Sequence, residues 1–184
     1  MNMMMPLAGF AASFIMLLAG KSHALAQEPQ KLWEVTTPGG PESSLPDTKA
    51  GIIYLSFGNE DPIKKDGNGG VATLTLDGKM INPKWVEGLN APKGLVISRG
   101  HLFIGDVDEL VEVDLKDGRV LAKHAAPGGK LLNDTAADAD GNVYVSDTLT
   151  KLFTGFQTGK WKPGSRMIAW LDPMARMSRA TSLS

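Results

Sequence analysis

Oxygen-bearing side chains crowd one short stretch, LLNDTAADADGNVYVSDT at 131–148. Asn133 and Asp134 stand together, Asp138, Asp140 and Asn142 alternate around a glycine, and Asp147 follows. Such a series suits a hard divalent cation, which prefers carboxylate and amide oxygens. A calcium loop of the EF-hand kind needs glycine at its sixth position and glutamate at its twelfth. Counted from Asp138, glycine comes fourth and the twelfth residue is Leu149, so the match fails. The segment Asp138–Asn142 is instead expected to be a hairpin turn, because Asp-Gly favours the positive φ that tight turns demand. Asn133 remains the one candidate functional residue of the stretch, with an Asx-type turn into a strand as its structural alternative.

Other chemistry-bearing residues are scattered. His101 starts a strand-like run and His124 lies in an expected connection, and neither has a partner in sequence for triad or zinc chemistry. Asp106 and Asp147 end similar runs and are expected to hydrogen-bond internally. Lys93, in NAPKG, is either a solvated loop lysine or a residue facing a cavity.

The elements that must position these residues are strands. Asp-Gly occurs at 66–67, 77–78, 117–118 and 140–141, and Asn-Gly at 68–69. Between them lie IIYLSF (52–57), VATLTL (71–76), GLVIS (94–98), HLFIGD (101–106), LVEVDL (110–115) and NVYVSD (142–147). These are strand-length runs rich in β-branched and aromatic residues, several alternating with period two. No sustained helical period follows the first 26 residues, so the fold class is all-β.

Two runs repeat. PKGLVISRGHLFIGD (92–106) aligns without a gap on NDTAADADGNVYVSD (133–147), placing Gly100 on Gly141, Phe103 on Tyr144 and Asp106 on Asp147 at an offset of 41. The Asp-Gly pairs at 77–78 and 117–118 are 40 apart. A unit of about 40 to 45 residues holding four short strands describes a β-propeller blade. The expected fold is therefore a β-propeller of four-stranded blades.

Composition narrows the setting. Residues 1–26 combine an apolar run from Pro6 to Gly20 with the small-residue pattern Ala24-Leu25-Ala26, and read as a signal peptide cleaved after Ala26. The apolar run falls short of the roughly 20 residues that span a bilayer. Periplasmic or secreted localisation follows, with no membrane attachment after cleavage. Removing residues 1–26 from 184 leaves 158, one domain's worth. The chain has no cysteine, so an exported form relies on burial and sheet pairing. With 19 basic and 20 acidic residues it offers no basic field for nucleic acid.

The chain also resembles a known family, the senescence-marker-protein / gluconolactonase-like six-bladed β-propellers, in particular their exported bacterial members. The resemblance covers roughly residues 32–155. It is carried by GPESS (40–44), KKDGNGGVATLTLDGK (64–79), GLNAPKGLVI (88–97), LFIGDVDELVEVDLKDG (102–118) and LNDTAADADGNVYVSDT (132–148). It implies a divalent cation, calcium in many members, on the propeller axis. It further implies Glu42 and Asn133 as metal ligands and Asn133 as a substrate contact. Polarisation of a lactone carbonyl by the cation would make such a protein a lactone or ester hydrolase acting on small lactones or sugar acids. No residue takes a catalytic role by this route. Read from its surroundings alone, Glu42 in a Gly/Pro-rich stretch is an exposed loop acid. The alternative function is a non-catalytic propeller, similar to NHL-type modules, that binds a ligand or partner protein.

Six blades of about 40 residues would need at least roughly 240 residues. Residues 27–163 accommodate three to four, a partial propeller whose open blade edges favour self-association. From 164 to 184 the alternation gives way to Met, Arg and Ser, an atypical tail that reads as frameshifted or disordered and the chain as truncated. Residues 172–184 can be back-translated so that a shifted frame spells PNGSNVEGDKLI, which is similar to the family's next blade.

Overall fold

The alternating runs and Asp-Gly turns produce strands, and no helix, among the described residues of this computed structural model, which are 29–162 and 165–166. The signal segment expected at 1–26 and the tail after Arg166 lie outside the described residues. A first sheet, I, holds β1 (Gly40–Asp47), β2 (Ile52–Gly58), β3 (Gly69–Thr75) and β4 (Met80–Leu89). Sheet II holds β5 (Pro92–Ser98), β6 (His101–Asp106), β7 (Glu109–Asp114) and β8 (Val120–Ala125). Sheet III holds β9 (Leu132–Ala137), β10 (Val143–Asp147) and β11 (Leu152–Gln157), whose outer side is shared by the short strands β12 (Lys160–Trp161) and β13 (Ser165–Arg166). All pairings are antiparallel, so the all-β class holds as three antiparallel sheets, each four strands wide.

The two Asp-Gly pairs 40 residues apart close corresponding turns, β3 to β4 and β7 to β8. At the first, the Thr75 N–H donates to Lys79 O at 2.9 Å; at the second, Asp114 N–H donates to Arg119 O at 2.9 Å. Ser165 and Arg166 pair with β11, so the third sheet reaches two residues past the boundary drawn from composition.

Sheet II is the centre of the packing. Side chains alternate along β6 and β7, so Leu102, Ile104, Val111 and Val113 face sheet I, where Tyr54, Val71, Val86 and Leu89 meet them. Phe103 and Leu110 point the other way, onto Leu132, Val143, Val145 and Phe156 of sheet III. With both faces covered, HLFIGD reads as a nearly continuous apolar run rather than an alternating one. The opposite face of sheet I carries Ile53, Leu55 and Leu74, across which Trp33 and Val35 lie around a cavity of about 380 Å³. On the far face of sheet III, Phe153 is 39% exposed and stacks on Tyr144 with ring centroids 5.8 Å apart.

Strands outside the six expected runs include β1, β4 and β11. β1 contains Pro41 and Pro46, which break a strand pattern but are tolerated because β1 is an edge strand. β4 contains Pro83, and β11 contains Gly155 and two threonine or glutamine positions that dilute its alternation.

The first strands of successive sheets lie side by side, β1 beside β5 and β5 beside β9. Each carries the same irregularity. On β1, Glu42 and Ser43 together oppose the single residue Ser56. On β5, Lys93 and Gly94 oppose Gly105, and on β9, Asn133 and Asp134 oppose Ser146. A two-against-one bulge of this kind bends its strand and re-aims the side chains. The register also corrects the gapless alignment. Phe103 does match Tyr144 and Asp106 does match Asp147, but the turn from Asp138 to Asn142 is one residue longer than that from Ser98 to His101. Along the first strands the offset is therefore 40, and Lys93, rather than Pro92, is the counterpart of Asn133.

Candidate functional site

The three bulges bring forward Glu42, Lys93 and Asn133, one from each sheet. Lys93 Nζ stands 3.4 Å from Glu42 Oε1, and the two side chains are 12% and 34% exposed. Glu42 Oε2 accepts from Ser43 Oγ at 3.2 Å. Ser56 fastens the first two bulges together: its Oγ accepts the Ser43 N–H at 3.0 Å and donates to Lys93 O at 2.8 Å. Ser146 plays the corresponding part in sheet III, its Oγ accepting the Asp134 N–H at 3.0 Å.

Gly94 sets the approach of β9 to β5. A Cβ there would meet Asn133 O at 2.6 Å, Thr135 N at 2.7 Å and Asp134 Cα at 2.9 Å, all backbone atoms that cannot give way. Only glycine permits this crossing. Asn133 is half-buried, and its side-chain amide makes no hydrogen bond to another described residue. Of the residues proposed from sequence, Glu42 and Asn133 thus occupy corresponding places on neighbouring inner strands but one strand apart, with Lys93 between them in the order of sheets.

Whether these residues suit the divalent cation implied by the resemblance turns on charge. Calcium takes six to eight oxygen ligands, several of them anionic. Here the inner bulges offer one carboxylate already paired with an ammonium, one amide, and the exposed Asp134. Two unit charges 4 Å apart interact by about 1 kcal/mol in water and about 4 kcal/mol at an effective dielectric of 20. A dication beside Glu42 would feel twice that repulsion from Lys93, so the set present does not fit such an ion. Among the described residues no group of three or more His, Cys, Asp or Glu side chains is arranged to hold one.

The remaining acids near this end of the strands are engaged. Asp106, fully buried, accepts the Asn90 N–H at 3.0 Å and the Ala91 N–H at 2.8 Å. Asp147 accepts from the N–H groups of Lys130 at 2.7 Å and Thr150 at 2.8 Å. Burial pushes the Asp147 carboxyl up, but the N–H groups of Lys130, Thr150 and Leu131 outweigh it and hold the group below its ordinary value. Both aspartates clamp the chain entering their own sheet, as expected. Asp108 is held by Lys65 at 2.6 Å, tying the β2–β3 loop of sheet I to the β6–β7 turn of sheet II.

A second cluster corrects the expectation that the histidines lack partners. Glu112 lies between them, Oε1 at 2.6 Å from His101 Nδ1 and Oε2 at 2.9 Å from His124 Nε2. Burial raises the Glu112 carboxyl, yet the hydrogen bonds from His124 and His101 bring it below its ordinary value. The His124 ring packs on Phe156 of sheet III with centroids 4.4 Å apart. Beside the cluster is a cavity of about 270 Å³ lined by Arg99, Phe103 and Thr158 among others.

The acidic turn of sheet III is structural, as expected. Asp138 accepts from the Asn142 N–H at 2.9 Å, Asn142 Nδ2 at 2.7 Å and Tyr144 Oη at 2.8 Å, and Gly141 has φ of +78°. The hydrogen bonds from Asn142 and Tyr144 hold its carboxyl at about 2.

No family model and no curated protein matches this sequence. Among solved structures, a crystal structure of a protein of unknown function from Bacteroides caccae is similar, with a TM-score of 0.56 and 13% identity. The match covers 78% of this chain and 53% of that one, so this chain spans about half the length of the solved structure it resembles. At that identity the likeness speaks to the fold alone.

Proposed function

We propose that this chain is an exported β-propeller module whose inner strands bind a small polar ligand without turning it over. We take the three sheets as its blades, supported by first strands that lie side by side and by the packing of each sheet on the next. The Ala24-Leu25-Ala26 pattern after an apolar run supports export, and with it a periplasmic or secreted location.

One observation carries the binding reading. The same bulge recurs on three inner strands and each time presents a polar side chain of different character: a carboxylate at Glu42, an ammonium at Lys93 and an amide at Asn133. A carboxylate, an ammonium and an amide together match the carboxylate and hydroxyl groups of a sugar acid, the ligand class that the gluconolactonase-like resemblance implies. Hydrolysis is not supported in the same way, because the cation it would need lacks a suitable set of ligands among the described residues. The role favoured is therefore the non-catalytic one.

Isothermal titration of gluconate into the purified chain, paired with a pH-stat assay on gluconolactone, tests this. Gluconate binding, weakened at least tenfold by Asn133→Ala, is expected together with lactone hydrolysis at the uncatalysed rate. Hydrolysis above that rate that disappears in Glu42→Ala would overturn the non-catalytic reading. Absence of gluconate binding would overturn the ligand class.

A further inference from the structure

Lys93 changes what the inner-strand site can hold, and this rests on the binding reading above. Its ammonium lies 3.4 Å from Glu42 Oε1, while Oε2 of the same carboxylate is taken by the Ser43 hydroxyl at 3.2 Å. The lysine stem is largely covered, with 12% of the side chain exposed, and its backbone carbonyl is pinned by Ser56. Lys93 is thus built into the site rather than waving above it. Its place on β5 is that of Glu42 on β1 and Asn133 on β9, so the repeat itself puts a positive charge among the oxygen donors. The acids that could restore a negative balance are committed elsewhere: Asp106 and Asp147 to backbone N–H groups and Asp108 to Lys65. Asp134 is exposed beside Asn133.

We infer that Lys93 stands in for a divalent cation, so that the inner-strand site is metal-independent and recognises an anionic ligand through a fixed ammonium. A ligand carboxylate exchanges for Glu42 at the Lys93 ammonium. The released Glu42 oxygens then accept hydroxyl protons of the same ligand, and the Asn133 amide donates or accepts beside them. No covalent step is involved.

The inference predicts that reversing one charge turns the site into a calcium site. With Lys93→Glu, the three bulges would carry two carboxylates and an amide in place of a carboxylate, an ammonium and an amide, a donor set that suits a hard cation. Calcium titrations of the full chain would compare wild type, Lys93→Glu, and Lys93→Glu combined with Glu42→Gln, with melting curves to establish that each variant is folded. Wild type is expected to show no calcium binding. Lys93→Glu is expected to gain stoichiometric calcium binding, and the added Glu42→Gln to abolish the gain. Stoichiometric calcium binding by wild type that Glu42→Gln removes would overturn the inference. A folded Lys93→Glu chain that gains nothing would overturn it too, since the three positions would then not converge. Gluconate binding measured in EDTA separates the two readings: binding that needs calcium sinks the metal-independent site while leaving ligand binding intact.

Discussion

Glu112 and Glu42 both sit against cationic or protonatable partners, and they are positioned in opposite ways. Glu112 lies within paired strands, with Phe103 opposite it on β6 and Ala122 opposite it on β8, just before the register of β8 shifts at Leu121. The histidines two residues further along those strands are then diagonal neighbours on the same face, within reach of long side chains. Glu42 lies in a bulge and meets a lysine from a different sheet. In the first case cross-strand pairing assembles the cluster within sheet II. In the second the ladder is interrupted on three strands, and the side chains so presented keep unused hydrogen-bonding capacity, as at Asn133. Pairing within one sheet brings the Glu112 cluster together, while the bulges bring polar side chains of different sheets forward on the inner strands.

The contrast can be tested from its strongest consequence downward. Gly94→Ala forces a Cβ against three backbone atoms of β9 and is expected to cost about 3 kcal/mol in urea denaturation, the upper range for overpacking. A loss below about 1 kcal/mol would mean that β9 is not held against β5. Glu112→Ala leaves two imidazoles without their acceptor and is expected to cost about 2 kcal/mol. If it costs no more than a surface substitution, the cluster is not structural.

Acid should also separate Glu112 from Asp138. The folded value of Glu112 lies below its ordinary 4.5, so its contribution is complete above the unfolded value and is lost as pH falls through the folded one. Between about pH 5 and pH 3 wild type should therefore lose more stability than Glu112→Gln, as read from melting temperatures. Asp138, held at about 2 by Asn142 and Tyr144, keeps its contribution to lower pH. Asp138→Ala should lower Tm near neutrality, and the gap from wild type should close only as pH approaches about 2. Smallest of all, Lys93→Met removes a partly exposed ion pair and should change stability by less than about 0.5 kcal/mol while weakening gluconate binding. A larger loss of stability would make Lys93 a structural residue.

Much of the fold was legible in the sequence and much of the site was not, for physical reasons. Strands such as IIYLSF and LVEVDL announce themselves because burial of one or both faces selects apolar and β-branched residues. The turn at Asp138–Asn142 was legible because Asp-Gly has few other uses. β1 was hidden because an edge strand tolerates Pro41 and Pro46. The place of Lys93 was hidden because one extra residue in the β9–β10 turn offsets the shift between first strands, so that a gapless alignment looks sound and is out by one exactly where the bulge lies. A signal did exist: Pro41-Glu42-Ser43 and Pro92-Lys93-Gly94 share a proline, a charged residue and a small residue, 51 positions apart. The Glu112 cluster was illegible for a different reason, since its three members come from three strands and meet only through cross-strand register.

Gly94 has one more consequence. Because nothing but backbone separates β5 from β9 there, no side chain is available to absorb a small displacement of Asn133. A molecule leaning on that amide would load the neighbouring main chain directly, and sheets II and III would stiffen as one body. Slower amide exchange along β5, a strand whose glycine offers the ligand no side chain to touch, would be the far-side record of occupancy at Asn133.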